Sequence, residues 1–354
     1  MGEMKNSAER DTAGTGPQAK PATAADVAAR AGVSRQTVSR VVNGLPNVTE
    51  RTRERVQRAM DELGFRPNFA GKSLRDGSYR SIGLCMYDIT RMGNLGALEG
   101  IMSAARERDF AVTMIELGTA NGPVALMDAS RRMLERPIDG MIINMNRMAP
   151  DFDEFRPAQG VNTVILSMYA HPRCTTVDSD QYGSCELVVK YLLGLGHTQI
   201  RFISGPEDSV ASRFREAGWR DTLERAHMGA APSLRGDWTA DSGYAAGERI
   251  AGEVRAGGMD APTAVFAAND QMALGAIAAL EDAGLSVPGD VSVVGIDDAL
   301  EGVVPHNRLT TVRFDLVKSG EIALEAAVAG TGGRAEAIRV PGELVERSTV
   351  ADLR

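Results

Sequence analysis

The chain is poor in the residues that build covalent and metal-held chemistry. Its 354 residues include only three cysteines, Cys85, Cys174 and Cys185, and four histidines, His171, His197, His227 and His306. An odd number of scattered cysteines gives neither a disulfide framework nor a zinc-ligand spacing, so inert thiols in a reducing compartment are expected. The histidines lie far apart in sequence, and neither a metal nor a cofactor is expected. No apolar run approaches the roughly 18 residues of a membrane span, and the N-terminus lacks the apolar core of a secretory signal. There is no Gly-x-Ser-x-Gly nucleophile elbow and no Walker-type phosphate loop. Gly194-Leu195-Gly196 starts like a dinucleotide fingerprint, but it lacks the third glycine and follows a helical pattern instead of a strand. These absences argue for a cytoplasmic protein that is not an enzyme and has no membrane contact.

Charge is unevenly spread. A uniform net charge of −8 would argue against a polyanionic partner. Residues 21–80, however, hold 11 Lys or Arg against 6 Asp or Glu, a surplus of five, and the first 20 balance at three against three, so the remainder carries −13. A basic head on an acidic body is the electrostatic footprint of a nucleic-acid-binding module joined to something else. Residues 1–20 lack periodicity and read as a disordered tail.

The pattern is sharpest over residues 23–43. Thr23 and Asp26 form a capping box before a short helix whose Val27, Ala28 and Ala31 make an apolar face. Gly32 supplies a turn that needs positive φ, and Ser34 caps a second helix. Val38, Val41 and Val42 are expected inward, and Gln36 and Arg40, four apart, outward on one face. Two short helices joined by a glycine turn, the second with a polar and basic outer face, describe a helix-turn-helix. Thr49 caps a third helix with a stripe of Val56, Ala59, Met60 and Leu63, which Gly64 ends and Pro67 blocks. This all-α head spans 21–66, and 67–80 reads as a hinge.

From residue 81 the pattern alternates. Strand-like runs at Ser81–Tyr87, Ala111–Ile115, Gly140–Asn144, Val161–Ser167, Ile200–Gly205, Ala264–Asn269 and Val291–Ile296 are separated by helical patterns such as Leu95–Arg108, Tyr182–Leu195, Arg213–Arg225, Tyr244–Val254 and Asp270–Ala283. Near-continuous apolar strands between amphipathic helices imply parallel sheets covered on both faces. The length suits an α/β body of two doubly wound lobes. Ligands in such folds bind outside the carboxyl ends of the strands. Over 81–349 the expected division is an N-lobe of about 81–178 plus 315–336 and a C-lobe of about 179–312 plus 337–349.

This order of elements resembles the lactose-repressor/galactose-repressor family of bacterial transcription regulators over nearly everything from Ala22 to Thr349. The stretches that carry the resemblance are Asp26–Asn43, the Pro-Asn-x-x-Ala run from Pro67, Leu-Gly-His at 195–197, Ser-Gly-Pro at 204–206, Gly-Asp-Trp-Thr at 236–239, Asn-Asp-Gln-Met-Ala-Leu-Gly from Asn269, Val-Ser-Val-Val-Gly-Ile-Asp-Asp at 291–298 and Leu-Thr-Thr-Val-Arg at 309–313. The resemblance implies a periplasmic-binding-protein-like body and a repressor that reads double-stranded DNA at a near-palindromic operator. It also implies control by a small polar effector, most often a sugar or derivative, bound between the lobes. A homodimer is expected, because one head reads only a half-site. No leucine heptad follows Thr349, so a tetramer-forming extension is not expected.

Residue by residue, Arg35 and Gln36 match the family's base-reading pair. Arg can take guanine O6 and N7 together, and Gln can pair with adenine N6 and N7. Thr37 shares that helix, and Arg40 matches a further groove-facing arginine. Thr23, Ser34, Ser39 and Asn43 match phosphate-holding positions, where short polar groups position the head without reading sequence. Asn68, Ala70 and Leu74 match the hinge pattern, with Leu74 at the position of a minor-groove wedge. For the effector, Arg215, Trp238, Asn269 and Asp297 match pocket positions that combine directional hydrogen bonds with a flat apolar face. Read singly, Arg215 also suits a surface ion pair, Asp297 a cap and Trp238 ordinary core. The chain departs from the family at two places. Arg91, Met92, Gly93 and Asn94 replace a common Asn-Pro-Phe-Phe, and Phe314 stands where a glutamine is frequent. A transport-type sugar-binding protein would suit two lobes, but it needs a signal peptide and would not carry a helix-turn-helix. Two alternatives stay open: an α/β enzyme with a DNA-binding head, and a regulator answering to a protein partner. The last would show an apolar, closed cleft.

Overall fold

The computed structural model describes residues 22–66, 73, 77–87, 89, 92–117, 124–145, 147–329 and 334–354. The chain divides into two compact units, one up to Gly77 and one from Ser78.

The first unit holds α1 (Ala24–Ala31), α2 (Arg35–Val42) and α3 (Glu50–Leu63). The capping box forms as expected: the Asp26 carboxylate accepts the Thr23 amide at 2.8 Å, and the Thr23 hydroxyl accepts the Asp26 amide. Gly32 closes α1 at φ 62°, in the left-handed region that side chains other than glycine resist. Val27, Val38 and Val56 are almost wholly buried where the three helices meet, with Ala28, Ala31, Val41, Ala59 and Met60 around them. Complete burial of each valine contributes about 1.5–3 kcal/mol, which offsets the ordering of so small a unit. One expectation fails, because Leu63 is 36% exposed. Past Gly64 the chain turns back, the Phe65 amide donates to the Met60 carbonyl at 2.9 Å, and the Phe65 side chain packs on the core instead.

The second unit contains two parallel sheets. In chain order the strands are β1 (Ser81–Met86), β2 (Ala111–Glu116), β3 (Gly140–Asn144), β4 (Asn162–Leu166), β5 (Thr175–Asp178), β6 (Ile200–Ser204), β7 (Leu234–Arg235), β8 (Ala264–Ala267), β9 (Ser292–Val294), β10 (Thr311–Arg313), β11 (Ala337–Arg339) and β12 (Glu343–Val345). The N-lobe sheet runs β11-β5-β4-β3-β1-β2 and the C-lobe sheet β7-β6-β8-β9, while β10 and β12 form an antiparallel pair. The helices between them are α4 (Met92–Glu107), α5 (Leu126–Leu134), α6 (Gln181–Gly194), α7 (Val210–Arg225), α8 (Ala240–Ala256), α9 (Asp270–Asp282) and α10 (Leu316–Val328). Each lobe has its own apolar core, that of the C-lobe centred on Phe202, Trp219 and Phe266. Phe202 stacks on Trp219 with ring centroids 5.1 Å apart.

Three sequence expectations need correction. Residues 337–339, assigned to the C-lobe, extend the N-lobe sheet: β11 pairs in parallel with β5, and the Thr176 amide donates to the Glu336 carbonyl at 2.8 Å. The chain therefore recrosses between the lobes after β11. The hinge was expected to reach residue 80, yet the Ser78 hydroxyl and the Tyr79 amide both donate to the Asp139 carboxylate, at 2.8 and 2.7 Å, which ties them to the body. Finally, β2 is not covered on both faces. Among the described residues it is an edge strand paired with β1 alone, and its Met114 is 45% exposed.

Candidate DNA-reading face and effector cleft

Two hydrogen bonds decide where α2 begins. The Ser34 hydroxyl accepts the Thr37 amide at 3.1 Å and lies 2.9 Å from the Thr37 hydroxyl. Arg35 and Gln36 are thereby fixed in the first turn, where a recognition helix meets base edges. Burial of Val38 and Val41 turns Arg35, Gln36, Ser39 and Arg40 to the exposed side. The side chains of Arg35, Gln36 and Arg40 make no hydrogen bond or ion pair among the described residues, so their donors and acceptors remain available. The expected phosphate holders are engaged within the head. Thr23 donates to Asp26 at 2.7 Å, and this bond with the Thr23 amide holds the Asp26 carboxyl below the usual range. The Asn43 amide donates to the Ser39 carbonyl at 2.7 Å and to its hydroxyl at 3.2 Å. Asn68, Ala70 and Leu74 lie outside the described residues.

The body contains a cavity of about 560 Å³ at the carboxyl ends of both sheets. Both sheets reverse their winding there, between β1 and β3 in one lobe and between β6 and β8 in the other, which is where an open α/β sheet leaves a crevice. At the first reversal the Asn144 amide donates to Asn94 Oδ1 at 3.0 Å, and Asn94 donates to the Tyr87 carbonyl at 2.8 Å. At the second, Asn269 caps α9: its Oδ1 accepts the Met272 amide at 2.9 Å, and its Nδ2 donates to the Trp238 carbonyl at 2.9 Å.

Arg215 organises the C-lobe wall. Reaching out of α7, its Nε donates to Gln181 Oε1 at 2.6 Å, one terminal nitrogen to the Ala268 carbonyl and the other to Asp297 Oδ1 at 2.7 Å. The guanidinium carbon lies 5.6 Å from the Trp238 ring centroid and 5.4 Å from that of Phe314, within cation–π range of both. Asp297 and Trp238 adopt positive φ, 110° and 77°. Side chains other than glycine resist such backbone, which costs of order 1–3 kcal/mol per residue and gathers at functional sites.

All five effector positions named from the sequence line this one cavity. Arg215 is in an ion pair, but a buried one rather than a surface one, and Asp297 is its partner. Trp238 also packs its ring over Gly205, leaving no room there for a Cβ. Sequence reasoning missed Gln181, which is buried, bonded to Arg215 and hydrogen-bonded to Ser179 at 2.7 Å. It also missed an ion pair across the lobes, Arg147 to Asp208 at 3.3 Å. Gln181 opens α6 three residues past the end of β5, a four-residue strand too short to stand out, although residues just past a strand's carboxyl end were the right place to look. Beneath the cavity the fully buried Asp270 accepts the Thr311 hydroxyl at 2.6 Å and the Ala299 amide at 2.8 Å. Burial, reinforced by nearby Asp297, pushes its pKa up to about 7.

Among the described residues no group of three or more His, Cys, Asp or Glu could hold a metal ion, and no helix is long and apolar enough to cross a membrane.

The sequence matches the description "Bacterial regulatory proteins, lacI family" over residues 23–68 and "Periplasmic binding protein-like domain" over 189–350. It is 33% identical to the lactose operon repressor of Escherichia coli, over 93% of this chain and 91% of that one. It is 29% identical to the HTH-type transcriptional repressor PurR of Vibrio campbellii, over 94% and 99%. Among solved structures, the lac repressor dimer bound to operator and the anti-inducer ONPF superposes with a TM-score of 0.79 at 31% identity, covering 94% of this chain and 100% of that one. The complex of the transcriptional regulator CelR with cellobiose gives 0.63 at 29%, covering 93% and 99%.

Proposed function

The chain belongs to the lacI family of bacterial regulatory proteins, and from that premise we propose that it is a homodimeric repressor whose hold on a near-palindromic operator is set by a sugar or sugar derivative in the interlobe cleft. The observation that carries this reading is the convergence of Gln181, Arg215, Asn269 and Asp297, with the Trp238 face, on one cavity between the lobes. Directional donors and acceptors beside a flat aromatic face suit a ring of hydroxyls. A cleft that is open and polar on one wall speaks against a partner protein as the signal. Operator complexes and sugar ligands of similar proteins support both halves of the proposal. For the heads, Arg35, Gln36 and Arg40 read bases while Thr23, Ser34, Thr37, Ser39 and Asn43 position the backbone. Asn68, Ala70 and Leu74 form the hinge that seats on the minor groove. Exposed Leu95, Met102 and Met114, on α4 and β2, offer apolar surface for pairing two copies.

Effector binding changes how the lobes pack, and the paired hinges then meet DNA differently. Such coupling requires that the effector bind the two arrangements with different affinity. Selection of genomic fragments by the purified protein, at fixed salt and with or without a sugar panel, tests the reading. The expected result is a near-palindrome whose retention one sugar alters. Recovery of no preferred sequence under any of these conditions would sink it.

A further inference from the structure

Beneath the cleft three carboxylates meet, and only two of them have a cation. Asp297 pairs with Arg215 of α7 at 2.7 Å. Asp298, almost wholly buried, pairs with Arg313 of β10 at 2.5 Å and with Arg347, past β12, at 2.8 Å, and Arg347 also holds Glu301. Asp270, at the first position of α9, is fully buried and has no ion pair among the described residues. Its carboxylate holds a turn instead. Past β9 the backbone passes through positive φ twice in succession, 110° at Asp297 and 50° at Asp298. Three bonds fix this turn. The Asp297 amide donates to the Val312 carbonyl at 2.9 Å, the Asp298 amide to the Thr311 hydroxyl at 3.4 Å, and the Ala299 amide to Asp270 Oδ2 at 2.8 Å. The Thr311 hydroxyl in turn donates to Asp270 Oδ1 at 2.6 Å. Two of the three bonds therefore end on Asp270, one directly and one through Thr311. Gly295 gives the carboxylate its room, since a Cβ there would strike Oδ1. The strands and helices behind bring no counter-ion: β8 is apolar throughout, and α8 meets α9 through Gly243 and Gly247, against Met272 and Ala276.

We infer that Asp270 is a positioning residue of the cleft, which braces the Asp297–Ala299 turn from beneath and resets the Arg215–Asp297 pair when it gains or loses a proton. A buried carboxylate without a counter-ion favours its neutral form, and ionisation sets a second negative charge behind Asp297. That charge competes with Asp297 for Arg215, whose guanidinium lies against the Trp238 ring. The wall offered to a ligand then differs on either side of the pH at which Asp270 ionises, about 7. The inference rests on the reading of this cleft as the effector site, but its test uses no effector, so the two can fail separately.

Tryptophan fluorescence of the full-length protein, followed between about pH 5.5 and 8.5, provides that test. Trp219 is buried in the C-lobe core, and Trp238→Phe shows which part of the signal comes from the cleft. The expected result is a one-proton transition centred at about pH 7 in the parent and none in Asp270→Asn, which keeps the shape of the side chain without its charge. Thr311→Val removes a hydrogen bond that favours the charged form, so it should move the midpoint up by about one pH unit, and Thr311→Ser should restore it. Urea unfolding at the acid end of the range checks that each variant is folded, and the Asp270→Asn comparison decides alone if Thr311→Val is not. No transition in the parent, or one of the same midpoint in Asp270→Asn, which would belong to a histidine, would overturn the inference. A transition lost in Asp270→Asn but unmoved in folded Thr311→Val would overturn it too, because Asp270 would then titrate without holding the turn.

Discussion

Replacing Arg215 with methionine should expose how the cleft is held together. The substitution keeps most of the apolar stem but removes the donors that satisfy Gln181, the Ala268 carbonyl and Asp297. Removing one member of a buried ion pair typically costs about 3–5 kcal/mol, because the remaining charge is left without compensation. Here the Asp297 side chain is 23% exposed against 7% for Arg215, so water can reach the orphaned carboxylate. That lowers the expected loss to about 2–4 kcal/mol. Asp297→Asn leaves the more buried Arg215 charge without its counter-ion, although its amide oxygen can still accept one bond, so a similar loss of about 2–4 kcal/mol is expected. The double variant leaves no unpaired charge. It should be more stable than the sum of the single losses by about 2 kcal/mol. Urea unfolding of the ligand-free full-length chain and its three variants closes this cycle. Losses that add to within about 0.5 kcal/mol would refute the claim that the pair is coupled. Function supplies the second readout. All three variants should hold the operator within about threefold of the parent, since no head residue is touched, and all three should lose the effector response. An intact response in Arg215→Met would remove this residue from the binding site.

Arg35→Ala and Gln36→Ala should each cost about 1–3 kcal/mol against the preferred operator base and little against an operator already changed at that base. Competition gel shifts with single-base operator variants decide it, and a loss uniform across operators would make them phosphate contacts instead. Ser34→Ala removes the acceptor of the Thr37 amide and should destabilise the head by about 1 kcal/mol, read as faster hydrogen exchange over residues 35–42. Gly100 lies against the Val317 carbonyl, so Gly100→Ala should cost about 1–3 kcal/mol in urea unfolding by forcing α4 away from α10. Asp270 has a folded-state pKa of about 7 against 3.8 unfolded, so the stability it lends is full below pH 4 and is lost as pH rises through 7. Asp270→Asn should therefore gain on the parent by up to about 4 kcal/mol between pH 4 and 8, and a flat difference across that range would disprove the assignment.

The helical head was almost wholly legible in the sequence because its signals are local. Caps, a glycine turn and a buried stripe lie within a few residues of one another, so Thr23, Gly32, Ser34 and Thr49 each announce themselves. Leu63 misled because helical periodicity carries no information on where the chain turns back. The Phe65 amide on the Met60 carbonyl decides that, and it is a tertiary choice. In the body, each of the seven runs read as strand-like from the sequence contains a strand. The unread strands β5, β7, β10, β11 and β12 have two to four residues each and are specified by their partners rather than by their own pattern. This explains the misplacement of β11, whose assignment to the N-lobe depends on pairing with β5 more than 150 residues earlier. Of the cleft, the residues with distinctive side chains were found. Gln181 was not, because a glutamine after a short strand looks like any loop residue until Arg215, 34 positions away, is seen to lean on it.

The way these polar groups are tied has a consequence for signalling. Arg215, Gln181, Asn269 and Asp297 already bond to protein atoms within the cleft, and each lies on the C-lobe or at its crossing. Contacts confined to that wall supply affinity alone, because they are the same whether the lobes are close or apart. A ligand with equal affinity for both arrangements shifts nothing, however tightly it binds. Operator affinity can respond only to contacts that also reach the N-lobe, and each tenfold difference between arrangements requires about 1.4 kcal/mol of such contact. On the N-lobe side the cavity lining includes Leu316, Met168 and Arg147, the last already spanning the cleft to Asp208. A sugar that binds without altering operator affinity, beside one that binds and alters it, would separate recognition by the C-lobe from response through the N-lobe. Equal responses per bound molecule would show that contacts to the C-lobe alone suffice for the response.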